Sequence, residues 1–423
     1  MIQNLKQKVV EWLRWSEQYT RTDMVYLFKS GGWVTTSKIC TSLGGLVLAT
    51  AFANLIPPDT YGTYKFLVSA ASIIGAFTLS GMGIAVAKAA ARGFNSALRH
   101  GSLAKLRWSI CMAAVGLGAA GYYYLQGNMT LSLGMMMIAV LYPFRSSSSV
   151  YESFLKGKKD FRRRSIYAII LEGVQVVSMV TALLLTNQVL WIFLVFLLAN
   201  TLSSILFYLR TAAAYPQSGE SRSDMITYGK HLSFVTIFKR IAKYIDKILV
   251  WHYLGGVELA VYAFAELPVS KMRSLAGSIW QTAFPKFSEK DLSTLQDTLD
   301  YKVLLMAAGF VGVAGVYILT APFLFDLLFP EYMQSVPLTQ FYALGLVLFA
   351  GRCYEKVLEA HARTRWIYIV QFTSNVVKIV TLLVLLPLYG VWGAILSLLS
   401  FETSRVMLSY IGFMVSDDYG QTK

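Results

Sequence analysis

The sequence predicts an all-α integral membrane protein, with twelve transmembrane helices in two six-helix lobes related by a pseudo-two-fold axis along the membrane normal. Three observations predict it. Of 423 residues, 56% are hydrophobic and only 14% charged, and the mean hydropathy is +0.53. A soluble chain carries about 25% charged residues, so a deficit at this length marks a polytopic bundle. Apolar runs also recur throughout the chain, each near the ~20 residues needed to cross a bilayer. Finally, the second half repeats features of the first.

The elements follow in order. Residues 1–23 are too polar for a cleavable signal peptide. Ile2, Leu5, Val9, Trp12 and Leu13 mark one face of an amphipathic helix, with Lys6, Lys8 and Arg14 elsewhere, which predicts a helix lying on the cytoplasmic surface. The spans then run Met24–Ile56, Tyr61–Ala85, Trp108–Leu125, Leu131–Val150, Ile166–Thr186 and Val189–Leu209 in the first lobe. In the second they run His231–Tyr253, Leu259–Gln281, Lys302–Ala321, Val336–Val357, Trp366–Pro387 and Val391–Met414. The lobes are therefore 24–210 and 231–414, with a polar cytoplasmic linker over 211–230 and a cytoplasmic tail at 415–423.

Charge supports this order. The gaps Pro57–Thr60, Gln126–Thr130, Asn187–Gln188, Leu254–Glu258, Pro322–Ser335 and Leu388–Gly390 contain no lysine or arginine. The opposite gaps hold clusters such as Arg92, Arg99, Lys105 and Arg107, or Lys156, Lys158, Lys159 and Arg162–Arg164. The positive-inside rule places those loops and both termini in the cytoplasm. The net charge of +15 is thus a topology signal, and its scatter between apolar runs excludes a nucleic-acid-binding face. The repeat is visible where Val34-Thr35-Thr36-Ser37-Lys38 matches Val235-Thr236-Ile237-Phe238-Lys239, with Lys29 and Lys230 preceding each at the same offset. Tyr61–Tyr64 falls opposite Leu259–Tyr262 after a small shift. Six spans per half give both halves one orientation, the arrangement of parallel repeats.

The chemistry-bearing residues concentrate in the spans. The seventh carries Lys239, Arg240, Lys243, Asp246 and Lys247. A charge at mid-bilayer costs about 2.5–3.5 kcal/mol on insertion scales, so it faces a cavity or a partner. Lys239, Lys243 and Lys247, at i, i+4 and i+8, share one face and predict a cationic stripe along a hydrated cavity, with Asp246 within reach of Lys243. Lys38 lies on a polar face with Thr35 and Ser42. Gln371, Asn375 and Lys378 share a face of the eleventh span, with Lys378 ~18 Å deep at 1.5 Å per residue. Glu266 precedes Lys271 and Arg273 and could pair with them. Glu172 is an isolated acid, either a proton-coupling group or the counter-ion of Lys378. Alternatively, Lys239, Arg240, Lys271 and Arg273 snorkel to the interface, and Lys243 pairs with Asp246. A cavity with more bases than acids attracts an anion, and lysines suit a mobile phosphate that must also leave.

Other chemistries lack support. Cys40, Cys111 and Cys353 sit far apart and the four histidines are scattered, so neither a metal site nor a disulfide framework is expected. There is no HExxH, GxSxG or GxxxxGK[ST], and the outer gaps are too short for a catalytic domain, so a non-enzyme without a bound cofactor is expected.

Four stretches resemble the polysaccharide biosynthesis proteins, the O-antigen-type flippases of the multidrug/oligosaccharidyl-lipid/polysaccharide (MOP) exporter superfamily. They are Leu55–Tyr64 with its YGTY ending, Thr78–Gly93, Glu152–Phe161, and Lys243–Tyr262, in which an aspartate, an apolar run and a glycine turn lead to a tyrosine. The resemblance implies a MATE-like fold of two lobes around a cavity opening alternately to either side. It implies a substrate, an oligosaccharide on undecaprenyl pyrophosphate, moved from the cytoplasmic to the outer leaflet of a bacterial inner membrane for O-antigen, capsule or exopolysaccharide synthesis. By position, the family's cationic cavity falls on Lys38, Lys239, Lys243, Lys247 and Lys378. Only Asp246 lies in a matched motif. Gln371 and Asn375 join the headgroup set, and Glu172, Asp246 and Glu266 are candidates for ion coupling or counter-ions. A proton gradient, a sodium gradient or the membrane potential would drive the cycle. The expected partners are the lipid-linked oligosaccharide, membrane lipids, and polymerase and chain-length machinery. The alternatives are a cation-coupled multidrug exporter of the same superfamily and a lipid II flippase.

Overall fold

A computed structural model describes residues 24–216, 223–288 and 292–415. The surface helix expected over 1–23, the middle of the linker and nearly all of the tail lie outside the described residues. Among those described, every regular element is helical. Twenty-residue apolar runs in lipid leave the backbone no other way to satisfy its own N–H and C=O groups.

The helices are α1 (Met24–Leu55), α2 (Pro58–Ile74), α3 (Met82–Ala91), α4 (Ala97–Leu125), α5 (Met129–Ser148), α6 (Val150–Gly157), α7 (Phe161–Leu185) and α8 (Val189–Ala214). There follow α9 (Ser223–Leu254), α10 (Gly256–Ser288), α11 (Leu292–Leu328), α12 (Ser335–Ala343), α13 (Gly345–Leu348), α14 (Arg352–Ala360), α15 (Thr364–Tyr389) and α16 (Val391–Val415). Nine helices among the described residues are long and apolar enough to cross a membrane, and ten if the bent pair α2–α3 counts as one span. Twelve spans were expected. The difference is α9 and α10, which are long but charged. Leu125, Leu185 and Leu319 leave their side chains largely uncovered, as lipid-facing residues do. The chain is a multi-pass membrane protein.

Local chemistry fixes the breaks. The second expected span is not continuous: α2 passes into a 3-10 turn, Gly75–Phe77, and α3 leaves at 60°. Leu79 sits there at φ 54°. Several polar groups of the bend find partners, as broken spans require. Thr78 Oγ1 donates to Gly75 O at 2.8 Å, Thr78 and Ser146 hydroxyls meet at 2.6 Å, and Gly81 N donates to Ser233 Oγ at 3.0 Å. Asn128 caps α5 by accepting from Leu131 N, and Asp160 caps α7 by accepting from Arg163 N. Gly255, at φ 93°, makes the one-residue turn between α9 and α10, a backbone state that side chains with a Cβ resist. The tenth expected span remains one run, Ser335–Ala360, in which α12, α13, the 3-10 turn Phe349–Gly351 and α14 follow one another.

The chain forms two compact units. The first runs through Ala49 and includes Ile74–Thr186 and Leu190–Ile237; the second takes Thr50–Ile73, Asn187–Val189 and the chain from Phe238 onward. The first unit is centred on Met82, Val86, Tyr151, Phe154 and Phe207, with Tyr167 stacked on Phe207 at 4.4 Å between ring centroids. In the second unit the tips of two hairpins meet. Tyr61 packs on Phe264 and Phe264 on Tyr332, at centroid distances of 4.8 and 4.0 Å. Gly62 sits directly on the Gly256 carbonyl with no room for a Cβ. This close approach gives a physical use to the YGTY stretch and to the glycine pair at 255–256.

Candidate functional site

The site grows from the turn at Gly255. It folds α10 back along α9, so that Tyr262 and Glu266, one helical turn apart, lie against Asp246 and Lys247. Tyr262 donates its hydroxyl hydrogen to Asp246 Oδ2 at 2.6 Å. Lys247 Nζ lies 2.7 Å from Glu266 Oε2 and 3.8 Å from Asp246 Oδ2. From α15, Lys378 places Nζ 3.4 Å from Asp246 Oδ2 and donates to Ala242 O at 3.0 Å. Asp246 is 1% exposed, and its Oδ1 has no hydrogen-bond partner among the described residues. From α2, Lys65 rests over the Tyr61 ring at 5.1 Å, with Lys247 and Glu266 as charged neighbours. Two acids and three lysines therefore meet at the depth of the spans. Burying such charges is tolerable only when they are mutually paired.

Several expected pairings are corrected. The acid beside Lys378 is Asp246, not Glu172, because α15 packs Lys378 onto α9. Glu172 belongs to the first unit, packed against Gly44 of α1. Asp246 pairs with Lys247 and Lys378. Lys243 instead is exposed, 5.1 Å over its neighbour Tyr244. Glu266 bonds Lys247 rather than Lys271 or Arg273. The stripe also divides: Lys239 and Lys243 are exposed and have no ion-pair partner among the described residues, whereas Lys247 is held by two acids. Asn375 donates to Gln371 O at 2.6 Å, and both are half-buried on the face that carries Lys378. Lys38 is half-buried in the first unit.

A second ionic cluster was missed by the sequence reasoning. Arg352 forks onto Glu402, with Nη2 at 2.7 Å from Oε1 and Nε at 3.2 Å from Oε2. Arg405 forks onto Glu355 at 2.7 and 2.8 Å. Arg273 adds Nη1 to Glu402 Oε1 at 3.1 Å and to Tyr342 OH at 2.7 Å. A signal existed: Arg352 and Glu355 are three apart, and so are Glu402 and Arg405, with signs reversed. Two helices running the same way at matched height turn that pattern into two cross-pairs. Lys65 had no such signal, being a lone charge near the start of a span.

The geometry defines a class, a multi-pass helical protein with ionisable groups buried at membrane depth. The fold matches that of solved MOP-superfamily transporters. A multidrug resistance MATE family transporter in its inward-facing conformation aligns over 90% of this chain and 96% of its own, at 13% identity and TM-score 0.67. The outward-facing conformation of such a transporter aligns over 92% and 97%, at 14% identity and TM-score 0.56. A MOP superfamily transporter from Pyrococcus furiosus, described as having a binding pocket of reverse polarity that suggests a different function, aligns over 93% and 94%, at 14% identity and TM-score 0.52. No curated protein matches the chain. The model of the polysaccharide biosynthesis protein family matches residues 27–290, and the chain belongs to that family.

Proposed function

We propose that the protein is a flippase that moves an undecaprenyl-pyrophosphate-linked oligosaccharide from the cytoplasmic to the outer leaflet of a bacterial inner membrane, for O-antigen, capsule or exopolysaccharide synthesis. The observation that carries this reading is the pair of exposed lysines on α9, Lys239 and Lys243, which have no ion-pair partner among the described residues. They stand one and two turns from the buried Asp246–Lys378 pair. Pyrophosphate is costly to desolvate unless cations meet it, and single-point lysine contacts can be released again. The polyprenyl tail stays in lipid while the headgroup crosses in water. Outward movement of an anion also gains ~2.3 kcal/mol per charge per 100 mV when the inside is negative. Lys38, Lys247, Lys378, Gln371 and Asn375 complete the proposed headgroup set, and Asp246, Glu266 and Glu172 the proposed coupling or counter-ion set. Both termini are proposed to be cytoplasmic, and chain-building polymerase machinery is the proposed partner.

The second reading is a cation-coupled exporter. It is favoured by the acids Asp246 and Glu266, which hold Lys247 and Lys378. The test is genetic. Lys243→Ala with Lys378→Ala abolishes surface polysaccharide while the protein still reaches the membrane. Unchanged polysaccharide in that double variant sinks the flippase reading.

A further inference from the structure

The first unit has a cavity of its own, about 280 Å³, where the end of α3 meets the starts of α4 and α9. Its floor is apolar. Ala85 and Ala89 come from α3, Ala97 from α4 and Met225 from α9, and all four belong to the Met82–Phe154 core or pack against it. Its rim is charged. Lys88 and Arg92, four residues apart at the end of α3, both line the cavity and both are exposed. Neither has an ion-pair partner among the described residues. Asp224 is the one acid among the described lining residues, so bases lead on the rim.

Two contacts mark the depth of the cavity. Lys88 Nζ lies 4.8 Å over the ring of Tyr228, itself a lining residue, and Lys230 Nζ lies 5.4 Å over the Trp108 ring of α4. Amphipathic aromatic rings collect at the level of lipid headgroups, and lysines extend to that level as well. The cavity therefore opens where headgroups lie, with cations outermost and methyl groups beneath. A molecule that suits it has an anionic head and an apolar body. Free phosphate has only the first part, and over a floor of alanine and methionine it would lose hydration with nothing to replace it. Basic pockets between spans are places where anionic headgroups bind.

We propose that this cavity binds one anionic phospholipid, its phosphate on Lys88 and Arg92 and its glycerol and upper acyl carbons on the floor between α3 and α9. Such a lipid touches α3, α4 and α9 at once. The site uses none of the lysines assigned above to the headgroup of a transported molecule, and it does not depend on the flippase reading.

The test uses the full-length protein, delipidated in detergent and titrated with phosphatidylglycerol or phosphatidylethanolamine of matched chain length. Native mass spectrometry counts the bound copies. The first phosphatidylglycerol should bind at least tenfold more weakly to the double variant Lys88→Gln/Arg92→Gln, which changes only exposed side chains. Ala89→Phe should give the same loss by filling the floor while the charges stay. Lys156→Gln/Lys159→Gln removes as much charge from exposed positions elsewhere in the unit, and should leave binding unchanged. Unaltered phosphatidylglycerol binding in Ala89→Phe, or an equal loss in the Lys156 and Lys159 variant, overturns the site. Phosphatidylethanolamine bound as tightly as phosphatidylglycerol, or lipid displaced by inorganic phosphate at the same concentration, overturns the assignment to an anionic lipid.

Discussion

The two ionic clusters of the second unit differ first in the cation each uses. Around Asp246 the cations are lysines: Lys247 lies 2.7 Å from Glu266 and 3.8 Å from Asp246, and Lys378 lies 3.4 Å from Asp246. One oxygen of Asp246 is left without a partner among the described residues. Around Glu402 and Glu355 the cations are arginines, forked onto both carboxylate oxygens at 2.7–3.2 Å. A fork fixes direction as well as distance, whereas an ammonium on a four-carbon stem fixes neither. The same unit thus contains a locked joint and a loosely held set. The difference separates the work of keeping α10, α14 and α16 in register from the work of meeting a charge that arrives and leaves.

Matched substitutions can break that comparison, and the largest effect belongs to the locked joint. Glu402→Gln keeps the shape but strands two arginines, and should cost about 3 kcal/mol in unfolding of the detergent-solubilised protein. A loss below about 1 kcal/mol would show that the forks hold nothing together. Asp246→Asn should cost less, about 2 kcal/mol, because its lysines make single contacts and Lys247 keeps Glu266. Its transport should fall more steeply than its stability, and the reverse order in a paired stability and flipping measurement contradicts the division of roles. Tyr262→Phe probes the Asp246 cluster further. It removes one hydrogen bond to a charged group, worth about 1.5 kcal/mol, by the same unfolding measurement. The smallest effect is expected at Arg163, whose pair with Asp160 lies at 3.3 Å with the arginine 46% exposed. Arg163→Ala should change stability by less than about 0.5 kcal/mol, and a larger change would mean that surface pairs in this chain matter as much as buried ones.

Much of the frame was legible because hydropathy in a membrane is a strong constraint. The starts of α15 and α16 fall within two residues of expectation, since short gaps bound them. Ends that run into water were not legible: α9 begins at Ser223 and not near His231, because a helix can continue past the bilayer on polar residues that carry no hydropathy signal. The 60° bend after Ile74 was hidden too. No proline marks it, and what holds it, Thr78 on Ser146 and Gly81 on Ser233, is visible only once distant helices are packed. The site was half legible. Depth singled out Lys378, which is buried, yet spacing along one helix cannot choose a partner on another. Lys243 was placed beside Asp246 on sequence distance, and Lys378 took that position from a different helix.

The central claim is that the lysines of α9 meet a pyrophosphate headgroup. The most direct test is flipping of a fluorescent polyprenyl-pyrophosphate oligosaccharide in liposomes containing the purified protein, scored by quenching from outside. The account predicts movement that requires the pyrophosphate and falls at least tenfold in Lys243→Ala. Uptake of a cationic dye, with the lipid-linked glycan left in place, would contradict it and make the protein an exporter.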